Sequence, residues 1–101
     1  MFYGILFDKD GSPIDDVLEW ANKNQDYEYK KVAKTTLSDG HFISTVWTGI
    51  DYDFLGEGKP LIFESMVFSK QGEPLSRFHY STLTEAQAGH DKLVKEWSRY
   101  L

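Results

Sequence analysis

Apolar positions crowd the middle of the chain, between His41 and Phe68, and thin into helix-like spacing towards both ends. The run from Phe42 to Ile50 mixes β-branched and aromatic residues, which fit a pleated surface and lose rotamer freedom in a helix, so it predicts a strand. Leu61 to Phe68 predicts a second strand, starting after Pro60 and stopping before Gln71-Gly72. Successive strand side chains point to opposite faces. Two runs apolar at odd and even positions alike must therefore hide both faces or leave one oily face for a partner. The intervening segment, with Gly56 and Gly58, is long enough for the two strands to return antiparallel.

The flanks supply the other elements. Phe2 to Phe7 is a short apolar run that ends in Asp8-Lys9-Asp10-Gly11 and predicts a first strand. Ser12 as cap and Pro13 in the first turn predict a helix over about 13–23, with Ile14, Val17, Leu18 and Ala21 as its apolar stripe. The crossover from Phe7 to Tyr27 leaves room for the first strand to run parallel to a neighbour. Tyr27 to Leu37 resumes β character, Ser38-Asp39-Gly40 turns into the central strand, and Leu75 to Tyr80 predicts a last strand. Thr82 and Glu85 fit a capping box opening a helix over about 83–99, with Ala86, His90, Leu93, Val94, Trp97 and Leu101 on one side. Gly89 within it costs up to ~1 kcal/mol relative to alanine, which points to close approach of another backbone. The expected fold is α+β: one mostly antiparallel sheet of four to five strands, in the order β-α-β-β-β-β-α.

At 101 residues the expectation is a single domain, 1–101, able to bury one core without disulfides. The absence of cysteine removes thiol catalysis and zinc ribbons and fits a reducing cytosol. A net charge of −5 argues against binding a phosphate backbone. No apolar stretch approaches the ~20 residues a membrane span needs, and the N-terminus lacks the signature of a signal peptide, so a soluble cytoplasmic protein is expected.

Candidate chemistry is sparse. Asp51, Asp53 and Glu57 lie together in the central loop, but an EF-hand spacing would put Leu55 and Ile62 at ligand positions. The segment FDKDG resembles the first motif of haloacid-dehalogenase-type phosphotransferases, which would make Asp8 a nucleophile and Asp10 a general acid. That chemistry also needs a completed Mg²⁺ site on a larger doubly wound domain. His41, His79 and His90 show no ligand spacing, and His90 reads as a packed residue whose ring nitrogen finds an acceptor. No nucleophile elbow, phosphate loop or dinucleotide fingerprint occurs. Neither metal nor cofactor is expected.

The succession VLEWA, KVAKTT, ISTVWTGIDYDF, GKPLIFESMVF and HYSTLTEAQAGHDKLV resembles a family of small proteins encoded by bacteriophages, prophages and bacteria. The resemblance spans nearly the whole chain and is most specific in STVWTGIDYDF, PLIFESMVF and EAQAGH. Asn22 to Tyr29 and Ser69 to Glu73 are longer and more polar than the pattern. The family carries no established activity, so no catalytic residue transfers. It implies a phage-type accessory protein in the bacterial cytoplasm. The expected function is non-enzymatic protein–protein interaction, with a host protein or as a homodimer, including counter-defence or host takeover. No nucleic acid and no membrane are expected as partners. The candidate surface is Trp47, Asp51, Tyr52, Asp53, Phe54, Glu57, Ile62, Met66 and Phe68. The alternative is a small metal-dependent hydrolase using Asp8 and Asp10, or Asp51, Asp53 and Glu57.

Overall fold

The computed structural model describes residues 5–52, 58–99 and 101. Four strands, β1 (Lys31–Thr36), β2 (Phe42–Trp47), β3 (Phe63–Phe68) and β4 (Pro74–Tyr80), form one open antiparallel sheet in sequence order. Helix α1 (Val17–Gln25) and the single turn α2 (Tyr27–Lys30) precede it, and α3 (Leu83–Ser98) follows. This is the α+β architecture the pattern predicts.

Strand register sets the two faces. Across β2 and β3, Ile43 faces Val67, Thr45 faces Ser65 and Trp47 faces Phe63, and all six side chains are buried. Helix α3 lies on that face, contributing Ala86, His90 and Leu93. The covered side is stratified. Trp47 and Phe63 join Leu6, Phe7, Ile14, Ile62 and Ala86 in one apolar cluster, while Ile43 and Val67 join Leu37 and Leu93 in another. Between them runs a polar layer in which Thr45 Oγ1 meets Ser65 Oγ at 2.5 Å and His90 Nδ1 at 2.7 Å. The imidazole's other nitrogen lies 2.9 Å from Thr35 Oγ1, so the ring ties α3 to β1 and β2 with both nitrogens satisfied.

Helix α3 starts as expected. Thr82 Oγ1 accepts from the Glu85 amide, and the Glu85 carboxylate accepts from the Ser81 and Thr82 amides. Gly89 answers to a side chain rather than a backbone: a Cβ there would run into the Tyr80 ring.

The N-terminal third departs from the pattern. Ser12 does not cap a helix, because its hydroxyl donates to Asp10 Oδ1 at 2.6 Å. Pro13 instead bridges to Phe7, and the Ile14 amide donates to the Leu6 carbonyl. The helix begins four residues later, where Asp16 accepts from the Leu18 amide. The expected stripe fails with it: Ile14 is buried outside the helix, Leu18 is 71% exposed, and Trp20 carries the packing. Tyr27 to Lys30 is helical rather than extended, because the Asp26 carboxylate caps a second turn through the Tyr29 amide. Phe2, Tyr3 and Gly4 of the expected first strand lie outside the described residues; Leu6 and Phe7 form only isolated bridges, both antiparallel.

Candidate functional site

The face turned away from α3 is built by the same alternation. Phe42 faces Phe68, Ser44 faces Met66 and Val46 faces Glu64 across the central pair. The outer strands extend these rows, with Lys34 beside Ser44 and Lys31 beside Val46 on β1. On β4, Arg77 lies beside Met66 and His79 beside Glu64. The Phe42 and Phe68 rings stack with centroids 4.8 Å apart, and the Lys34 ammonium sits 5.0 Å from the Phe42 centroid. Glu64 forms an ion pair with Arg77, its Oε2 3.3 Å from Nε, and lies 3.1 Å from His79 Nε2. Tyr52 closes this end, stacked on His79 at 3.7 Å and 64% exposed. No helix among the described residues packs here: α3 takes the other face, and α1 reaches the sheet's end through Trp20 Nε1 and Asn24 Nδ2, both donating to the Thr48 carbonyl.

Two residues of the expected surface lie inside the chain. Trp47 is 0% and Ile62 1% exposed. Trp47 faces α3 and donates its indole N–H to the Phe7 carbonyl at 3.0 Å. Strand alternation would turn Ile62 outward, but the pleat stops at Phe63, and the Ile62 carbonyl accepts from the Thr48 and Gly49 amides as the side chain enters the core. Asp51 is buried at 8% exposure and accepts from the Leu61 amide, closing the base of its loop. Asp53, Phe54 and Glu57 lie outside the described residues. Tyr52, Met66 and Phe68 remain on the open side. Lys34, Phe42 and Arg77 belong beside them; only pairing register could have revealed this.

The Asp8 motif is a structural clamp by geometry. Asp8 Oδ2 takes the Lys23 ammonium at 2.5 Å, while Oδ1 accepts from the Lys9 amide at 2.8 Å and from the Tyr29 hydroxyl. Burial alone would raise the Asp8 carboxyl, but Lys23, Tyr29 and the Lys9 amide together hold it below the usual value. Burial and the same carboxylate push the Tyr29 phenol up to about 12. Asp10 Oδ1 serves the Ser12 hydroxyl and amide, which lower its carboxyl. Among the described residues no group of three His, Asp or Glu side chains gathers to hold a metal.

A cleft of about 300 Å³ lies beside this motif, with Lys9, Asp10, Lys59, Ile62 and Ser81 on its walls. It borders the first turn of α3, where the capping box occupies the Ser81, Thr82 and Glu85 amides. His41 is paired with Asp39 at 2.8 Å and packs on Trp97. His90 is enclosed in the polar layer, where burial lowers its imidazole despite the opposing pull of Asp91. Comparison with protein-family models, with curated proteins and with solved structures gives no match.

Proposed function

We propose that this chain is a non-catalytic accessory protein of phage type that works in a bacterial cytoplasm by docking its open sheet face on another polypeptide. The observation that carries the reading is the cluster of Phe42, Phe68 and Met66, from two neighbouring rows of a face over which no helix packs among the described residues, edged by Lys34, Arg77 and Glu64. The partner is a host protein or a second copy, and the phage-like sequence motifs make counter-defence or host takeover the role in view. Hydrolysis has less support. Both Asp8 oxygens serve Lys23, Tyr29 and Lys9, and Asp10 serves Ser12, which leaves neither poised as nucleophile or acid.

Paired capture from bacterial lysate tests the reading. Tagged wild type, Asp8→Asn and the double variant Met66→Lys/Phe68→Lys are compared, each first checked for a cooperative melt. Wild type and D8N should retain one shared polypeptide that the double variant loses. If all three retain it alike, or none retains any, the open face is not the working surface.

A further inference from the structure

The open face carries its own rule about what it accepts. Its three rows, read from β1 to β4, are Thr36-Phe42-Phe68-Pro74, Lys34-Ser44-Met66-Arg77 and Lys31-Val46-Glu64-His79. They hold three permanent cations and one carboxylate, on a chain whose net charge is −5. That carboxylate is already engaged by Arg77 and His79. Lys31 leans towards Glu28 at 3.7 Å, outside the rows, whereas Lys34 makes no ion pair among the described residues. The face is therefore a cationic, aromatic patch on an acidic protein.

Symmetry weighs against a second copy. A sheet-on-sheet dimer needs a two-fold axis lying in the interface. An axis parallel to the strands reverses each row and sets Lys34 over Arg77 of the second copy. An axis across the strands maps the middle row onto itself, setting Lys34 over Lys34 and Arg77 over Arg77. Either way cation meets cation at both edges, with Glu64 already committed.

Nucleic acid fits less well than protein. The central ring, Phe42, has Phe68 on one side and the Lys34 ammonium near it, and the chain's overall charge repels a phosphate backbone. Resting on the docking reading above, we infer that the open face binds an amphipathic segment of a different protein, with aliphatic side chains over Phe42, Met66 and Phe68 and carboxylates at the Lys34 and Arg77 edges.

The test is amide shift mapping on ¹⁵N-labelled full chain at low salt. The probes are a peptide of about eight residues, one strand's length, alternating Leu and Glu, its Leu/Lys counterpart, and oligo(dT). The Leu/Glu peptide should shift the amides of Lys34, Phe42, Met66, Phe68 and Arg77. Lys34→Glu/Arg77→Glu should weaken it about tenfold and admit the Leu/Lys peptide, as expected for two exposed charge contacts. The milder Lys34→Gln/Arg77→Gln should weaken it without reversing the preference. Preference of the unaltered chain for Leu/Lys or oligo(dT), or the same shifts arising on concentration alone, overturns this inference and leaves docking at the face intact. Silence of those amides to every probe and to concentration overturns the docking reading, and the inference with it.

Discussion

Gly49, two residues past the end of β2, sits where a side chain has no room. Its φ of 75° lies in the left-handed region, and a Cβ there would stand 2.6 Å from the Trp20 ring nitrogen. Gly49→Ala therefore combines backbone strain of about 1–2 kcal/mol with overpacking of about 1–3 kcal/mol. Gly72, at φ 90° with nothing near its missing Cβ, carries the strain alone. Urea unfolding should show the larger loss at Gly49, and equal losses would contradict the packing. His90 gives a pH signature. Its folded-state value lies below 6.5, so the unfolded chain binds more protons as pH falls past that point. The His90 contribution to stability is level above about 6.5, declines as pH drops below it and flattens beneath the folded value. His90→Gln should lessen that decline between neutral pH and about pH 5, read as the slope of stability on pH; an unchanged slope would remove His90 as the source. The packed role of His90 was legible from its place on the helix stripe. Gly49 was not, because the apolar run passes through it without a break.

Local signals fared best where one chemistry was in play. The capping box fixed the start of α3, and β-branched density fixed β2 and β3, since nothing nearby competes with them. Around α1 three aspartates compete. Asp10 claims Ser12, Asp16 becomes the cap, and Asp26 nucleates a further turn where sequence suggested a strand. Asp8 then binds these pieces together, its carboxylate joining the turn before α1 to Lys23 of α1 and Tyr29 of α2. Asp8→Asn should cost about 1–3 kcal/mol at neutral pH, the range for losing charged hydrogen bonds. Because its folded value is below 3.8, the wild-type advantage is present above 3.8 and lost as pH falls through the folded value. Urea titrations should show the two proteins separated at neutral pH and converging in acid. A gap that persists in acid would mean the carboxylate's charge is not what holds the clamp.

At the scale of the whole molecule, parity along the central strands signalled more apolar surface than one sheet face could use, but not which residues would be left over. That choice depends on pairing register and on the face α3 takes, and neither is a local property. Trp47 went inside opposite Phe63, Ile62 followed once the pleat ended, and Met66 and Phe68 stayed out with Phe42, Lys34 and Arg77 beside them. No helix among the described residues is long and apolar enough to cross a membrane. Met66 lies in the middle row of the open face, and the chain's other methionine is Met1. Photo-methionine incorporated during expression in bacterial cells therefore places a short-range crosslinker on the proposed docking surface. After irradiation, Met66 peptides should be joined to a foreign polypeptide bearing carboxylates near the adduct, with yield falling in Lys34→Glu/Arg77→Glu. Foreign adducts absent from Met66 would contradict the claim that this face is where the protein works.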